Sequence, residues 1–126
     1  MTKAEAIHGF FAGFGLPAYE EHSVPAYTDA EQTAPTKPPY ITYQFASSDF
    51  FGGAVALTAD VWDLSESWEL IEAVCDAISR AVTPFCRLFC DDGYIVVTKG
   101  SPFAQHIGDD VYKRAYLNLY FTFITN

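Results

Sequence analysis

The segment from Val111 to Ile124 alternates apolar and polar residues, and it constrains the possible folds more than any other part of the chain. Successive side chains of a strand point to opposite sides, so the alternation predicts one long strand with a buried and an outward face. At about 3.3 Å per residue it would extend roughly 45 Å, so we expect it to bend or to project from a small domain. The buried set is Ala115, Leu117, Leu119, Phe121 and Phe123, and the outward set is Tyr112, Arg114, Tyr116, Asn118, Tyr120 and Thr122.

Two alternating segments in the first half of the chain, 40–46 and 54–62, predict a pair of neighbouring strands. The sequence Phe-Gly-Gly at 51–53 is a turn signal between them. A hairpin is the most economical pairing for two strands so close in sequence.

A second hairpin is predicted by the Asp-Gly pair at 92–93, which lies between apolar runs at 86–90 and 94–98. The sequence Gly-Ser-Pro at 100–102 then predicts a break in the chain. We expect residues 103–110 to form a connecting loop or a single helical turn before the last strand.

Two segments have the spacing of three and four between apolar residues that is typical of helices, 3–15 and 66–82. Pro84 ends the second one. Asp63 and Glu66 have the spacing of a capping box at its start, and a neighbouring serine is an alternative cap.

Together these elements predict an α+β fold: a mostly antiparallel sheet with about two helices packed on one face, in a single domain over residues 1–126. Residues 19–39 are polar, acidic and rich in Pro, Ala and Thr, and they predict a long loop. Loops of this length inside a domain are usually functional or disordered.

Charge and cysteine content exclude several classes of function. Seven Lys and Arg against sixteen Asp and Glu give a net charge of −9 at pH 7, which argues against a protein that grips nucleic acid through basic surface. Three cysteines without a CxxC pair argue against a disulfide framework and a zinc site. No apolar run reaches the roughly 18 residues of a membrane span, and the apolar start of the chain is interpreted as a helix rather than a signal peptide.

Catalytic signatures are missing from the sequence, and the prediction is a protein that is not an enzyme and has no cofactor, metal or catalytic residue. A Cys90–His106 pair is a conceivable nucleophile and base. The acidic pairs at 91–92 and 109–110 are better explained as turn residues than as a carboxylate pair or a cation site.

Tyrosines mark the outward face of the last strand, where Tyr112, Tyr116 and Tyr120 occupy alternate positions and Tyr40 can lie beside them. Tyrosine is common where one protein covers another, because it offers apolar area with a polar tip. Two helices can cover only one face of the sheet. We therefore favour these four residues as subunit-interface candidates over internal packing by a second layer.

Three segments resemble the tail-terminator and tail-completion proteins of long-tailed bacteriophages, the lambda tail-terminator-like family. PPYITYQFASSDF at 38–50 is similar to that family's first strand after a long loop. GGAVALTADVWDLSESWELIEAVCDAISRAV at 52–82 is similar to its second strand and main helix, and VYKRAYLNLYFTFIT at 111–125 resembles its closing strand.

The resemblance implies a homo-oligomeric ring, typically a hexamer, in the virion tail, assembled in the bacterial host cytoplasm. Such a ring ends growth of the tail tube and binds the tail-tube protein and the head–tail connector proteins, while DNA passes through its lumen without specific binding. It implies no reaction, no cofactor and no membrane. Candidate residues for the lumen or for a partner-binding loop are Glu20, Glu21, Asp29 and Glu31.

Acidic side chains in a lumen would repel the phosphate backbone and let DNA slide, the opposite of the Lys and Arg contacts that hold it. Two alternatives stay open at this point. One is a head-closure or neck protein of similar geometry. The other is an acidic adaptor or inhibitor module unrelated to tails.

Overall fold

The computed structural model describes residues 2–44, 54–108 and 112–125. The order of their helices and strands differs from the expected one mainly by an extra short strand near the start. In chain order the elements are α1 (Lys3–Ala12), β1 (Ala18–Glu20), β2 (Tyr40–Tyr43), β3 (Ala54–Asp63), α2 (Glu69–Ala81), β4 (Cys86–Cys90), β5 (Gly93–Gly108) and β6 (Lys113–Thr125).

The six strands form one sheet in the order β1-β2-β3-β6-β5-β4. β1 and β2 are parallel, and all other neighbours are antiparallel. The predicted hairpins β2–β3 and β4–β5 are therefore both confirmed as antiparallel pairs.

The predicted α+β class is wrong, because strands make up 45% of the structure and helices 21%. The molecule is one curled, mixed sheet in the shape of a half-barrel, with two helices. Strand content exceeds the expectation because β5 continues through the predicted break and β1 adds a parallel edge strand. The mostly antiparallel pairing and the two helices are roughly consistent with what the sequence predicts.

A bulge explains why β5 does not end at Gly-Ser-Pro. The register of β5 against β6 shifts between Lys99 and Ala104, so the intervening residues loop out while the ladder resumes beyond them. The Asn118 amide donates to the Pro102 carbonyl at 3.0 Å and anchors the bulge. A Cβ on Gly100 would lie 2.9 Å from the Asn118 Cβ, so this close approach of β5 to β6 requires glycine.

The helix α1 lies inside the curl of the sheet, where it contacts both edge strands, β1 and β4. Thr2 and Glu5 form a capping box at its start. The Phe11 ring stacks on Tyr43 at 5.0 Å between ring centroids and on Phe121 at 6.3 Å. This aromatic stack connects the helix to β2 and β6.

The helix α2 covers β3 and β6 on the same side of the sheet and buries Ile71, Val74 and Ile78 in the common core. Its predicted capping box is wrong. Asp63 is the last residue of β3, and its Oδ1 accepts from the Leu64 N–H at 2.8 Å. The helix begins only at Glu69, so Asp63 is too far from its first turn to cap it.

Candidate functional site

The strands expose a second face on the side away from both helices. The register places Tyr40 opposite Trp62, Trp62 opposite Arg114, and Asp60 opposite Tyr116. These side chains alternate with the core residues, and no helix of the described chain packs against them. We call this surface the open face; its main residues are Tyr40, Thr42, Asp60, Trp62, Tyr94, Val96, Thr98, Arg114, Tyr116, Asn118, Tyr120 and Thr122.

A groove of about 460 Å³ crosses one corner of the open face. Trp62 lies at its centre, with ring centroids 6.4 Å from Tyr40 and 6.2 Å from Tyr112. Tyr19 of β1 extends the cluster through an edge contact with Tyr40 at 5.8 Å. We call this site the aromatic groove; its walls include Glu21, Tyr40, Asp60, Trp62, Tyr112 and Arg114.

Polar contacts hold the groove side chains in place. The Trp62 indole Nε1 donates to the Thr42 hydroxyl at 2.9 Å, which fixes the ring plane. The Arg114 guanidinium lies 5.3 Å from the Trp62 ring and donates to Asp60 Oδ1 at 3.1 Å. The groove is therefore a set of ordered rings around one ion pair, a combination that suits recognition of planar or cationic groups.

The charges of the described groove residues do not cancel, because the carboxylates of Glu21 and Asp60 face the single guanidinium of Arg114. Burial raises the pKa of Asp60, and the neighbouring Arg114 opposes that shift while Glu21 adds to it. Burial also raises the pKa of Tyr40, with smaller effects of Tyr112 and Tyr19. The groove thus has a net negative charge when both carboxylates are ionised.

The four predicted interface tyrosines lie on the open face or directly beside it, and two of them line the aromatic groove. Tyr40 and Tyr112 line the aromatic groove on either side of Trp62. Tyr116 is half-buried in the middle of β6, between Asp60 and Gln105. Tyr120 lies farther along the strand and is 43% exposed.

Sequence reasoning missed Tyr19, Trp62 and Arg114 as parts of a site. The alternation of β3 did place Trp62 opposite the core residues of that strand. It did not indicate which residues of other strands lie beside Trp62. The parallel pairing of β1 with β2 brings Tyr19 beside Thr42, and no turn signal in the sequence indicates that pairing.

The loop acids have different surroundings and form no common cluster. Asp29 organises the loop tip: its Oδ1 accepts from the N–H groups of Thr33 at 2.9 Å and Ala34 at 3.1 Å, and its Oδ2 accepts from the Thr33 hydroxyl. The Thr33 hydroxyl, followed by the Ala34 N–H, lowers the pKa of Asp29. Glu20 accepts from the His22 N–H at 2.9 Å, and Glu31 is exposed.

A second surface patch lies at the β4 edge of the sheet. Phe89 is 68% exposed and Phe85 is 46% exposed. The Arg87 guanidinium lies 5.6 Å from the Phe85 ring and 5.5 Å from the Tyr94 ring, and Tyr94 in turn contacts Phe89. We call these four residues the β4-edge patch. β4 is the terminal strand, so one side of its backbone has no neighbouring strand within the described sheet.

The conceivable catalytic groups do not meet. Cys90 pairs with the first residue of β5, whereas His106 lies near the last and stacks on Trp68 at 4.2 Å. Asp91 and Asp92 occupy the β4–β5 turn, as the turn interpretation predicts. The pair at 109–110 lies outside the described residues.

Comparisons and chain-wide features add little to this geometry. No family model matches the chain, and no match was found among curated proteins or solved structures. The part of the chain that the structure describes has no group of three or more His, Cys, Asp or Glu that could hold a metal ion. None of its helices combines the length and apolarity needed to cross a membrane. The aromatic groove and the β4-edge patch are the features from which a function can be inferred.

Proposed function

We propose that this chain is a structural protein that forms a ring at the head-proximal end of a phage or prophage tail, where it terminates tail-tube growth and joins the tail to the head. The observation that carries the proposal is the open face of the sheet. Its aromatic residues are ordered by mutual contacts, yet both helices lie on the opposite side. A second protein surface is the natural cover for such a face.

Two different surfaces on one subunit support a ring rather than a simple pair. The aromatic groove is built from β2, β3 and β6, whereas the β4-edge patch lies at the far end of the strand order. Contacts between unlike surfaces propagate from copy to copy, and they close into a ring when the rotation per copy divides a full turn. A tail terminator needs this geometry around its channel.

Acidic side chains support the passage of DNA through such a ring. The region 63–76 contains five carboxylates and no Lys or Arg, and all but Asp63 are exposed. Glu31 adds a further exposed carboxylate at the loop tip. Where these residues face the lumen, they would repel phosphates and prevent the ring from gripping the genome.

Light scattering coupled to size-exclusion chromatography tests the proposal over a range of protein concentrations, alone and with tail-tube protein. We expect a closed oligomer, a hexamer in the first instance, that caps the tube. Electron microscopy of tubes polymerised with and without the protein would then show shorter tubes in its presence. A strict monomer that binds neither the tube protein nor the connector would refute the proposal.

The same experiment separates the two alternatives. A head-closure or neck protein would bind the connector and leave tube length unchanged. An acidic adaptor, which the exposed carboxylates of α2 favour, would stay monomeric and bind a DNA-processing enzyme in competition with DNA.

A further inference from the structure

We propose that the aromatic groove binds the β4-edge patch of a second copy of this chain, with the Arg87 guanidinium entering the groove. The inference rests on the ring assembly proposed above and names the two surfaces that make its contact. It commits to a head-to-tail geometry, in which each copy uses its groove toward one neighbour and its patch toward the other.

The charges of the two surfaces are complementary. Among the described residues that line the groove, Glu21 and Asp60 face the single cation Arg114, which leaves one negative charge uncompensated in this set. Arg87 is exposed, and within the described residues its guanidinium lies near the rings of Phe85 and Tyr94 and forms no ion pair with a carboxylate. A guanidinium is the side chain best suited to such a groove, since it donates in a planar fork to carboxylates and stacks on aromatic faces.

The size and chemistry of the surfaces also match. A volume of about 460 Å³ lies within the range of about 300–1,000 Å³ that is usual for binding sites, so the groove has room for more than one side chain. Phe89 is the most exposed large apolar residue in the described chain, and it lies two residues from Arg87 on the same strand face. Entry of Arg87 would carry Phe89 toward the rings of Tyr40 and Tyr112, where its apolar area would leave water.

Both surfaces lie on the outer side of a curled sheet, which favours propagation from copy to copy over a symmetric pair that uses both at once. The groove lies where β6 begins and β5 ends, whereas β4 pairs with the beginning of β5. The two surfaces therefore occupy opposite corners of the sheet. One copy bound through its groove still presents a free patch, which is the requirement for a ring or an open chain.

Two charge reversals test the contact from either side. Arg87→Glu reverses the charge of the patch and leaves the groove unchanged. Glu21→Arg reverses the charge balance of the groove and leaves the patch unchanged. Both residues are exposed, so both variants should fold. In sedimentation equilibrium each single variant should dissociate at about tenfold or higher concentration than the wild type, because a like-charge pair replaces an attractive one. Arg80→Glu makes the same change in net charge as Arg87→Glu, at an exposed position on α2, and should assemble like the wild type.

Mixing the two variants gives the decisive result. In the mixture, the unchanged groove of the Arg87→Glu variant meets the unchanged patch of the Glu21→Arg variant. The two substituted surfaces also carry opposite charges, so the mixture should assemble again, with the two variants in a 1:1 ratio. A mixture that stays monomeric would overturn the head-to-tail assignment. Single variants that assemble as well as the wild type would also overturn it.

Failure of this inference is distinguishable from failure of the proposed function. A wild-type ring that both reversals leave intact refutes the groove–patch contact and leaves the ring proposal standing. A wild-type chain that never self-associates, even with tail-tube protein, refutes both. A third outcome is a wild-type chain that stays monomeric and binds a different basic protein. If Glu21→Arg loses that binding, the groove binds that protein, and the assignment of a second copy as its occupant is overturned.

Discussion

The two faces of the sheet are made by the same strands and differ in almost everything else. Along β6, Leu117, Leu119 and Phe121 are almost completely buried under the helices. Tyr116 and Tyr120 alternate with them and remain accessible on the open face. The period of two therefore dictates which residues share a side of the sheet. The side that the two helices cover becomes the core.

The chemistry of the faces differs because, within the described part of the chain, helices cover only one of them. The helix side is a continuous apolar cluster closed by two helices. The open face holds ring contacts, an Arg114–Asp60 ion pair and tyrosine hydroxyls, which tolerate water as well as a partner. Substitutions on the helix side should therefore cost folding stability, and those on the open face should cost assembly.

The largest expected effect is unfolding by Ile78→Asp on α2. Ile78 has no exposed surface, so the new carboxylate would lie unpaired in the core. A loss of about 4 kcal/mol or more is a large part of the stability of a small domain. Circular dichroism during urea unfolding measures it. Ala73→Asp, at an exposed position of the same helix, is the matched control and should cost about 1 kcal/mol or less.

A neighbouring pair on β6 sharpens the comparison between the faces. Leu117→Ala should lose about 2–5 kcal/mol of unfolding free energy, because it leaves a cavity in the core. Tyr116→Ala should lose about 1 kcal/mol or less and instead weaken assembly. Urea unfolding and size-exclusion chromatography measure the two effects. Equal loss of stability in both variants, with normal assembly of Tyr116→Ala, would contradict the assignment of the faces.

Local periodicity was sufficient to predict most of this architecture. The outward and inward sets of β6, the two hairpins and the apolar side of α2 all follow from spacing within one segment. The start of α2 did not, because Ser65 and Ser67 bond locally to the N–H groups of Ser67 and Glu69 and delay the helix.

What could not be predicted depends on contacts between distant segments. The Gly-Ser-Pro sequence reads locally as a break, yet Asn118 on the neighbouring strand holds it as a bulge. Tyr19 joins the aromatic groove only through parallel pairing of β1, which carries no turn signal. The groove also depends on Trp62 being next to Arg114 and Tyr112, and only the β3–β6 register and the ring contact between Trp62 and Tyr112 show this.

A smaller effect is expected at the buried thiol of α2. Burial raises the pKa of Cys75 to about 11, with further contributions from Asp76 and Glu72. At pH 8 its thiolate fraction should be about a hundredfold below that of an ordinary thiol, so alkylation by iodoacetamide should be slower by a similar factor. Mass spectrometry of timed samples measures the rate, and unfolding in urea should abolish the protection. Rapid labelling of Cys75 in the folded protein would mean that the helix side opens readily.

The smallest expected effect lies at the tip of the loop, around Asp29, which belongs to neither face. The pKa of Asp29 is lowered by its hydrogen bonds to Thr33 and Ala34, so the carboxylate stabilises the loop tip above the unfolded pKa of about 3.9. That contribution should disappear as the pH falls through the lower folded pKa. In NMR the Thr33 amide shift should therefore titrate with a midpoint below about 3.9, and Asp29→Ala should abolish the titration.

The same variant separates the loop tip from the groove. Glu21 lines the groove at the start of the loop, whereas the Asp29 hydrogen bonds close the tip alone. Asp29→Ala should therefore leave both the melting temperature and the assembly unchanged, since Glu21 stays anchored by the bond from its N–H to the Tyr43 carbonyl at 2.8 Å. Loss of assembly in this variant would show that the loop tip contacts a neighbouring copy, and it would extend the partner surface beyond the open face.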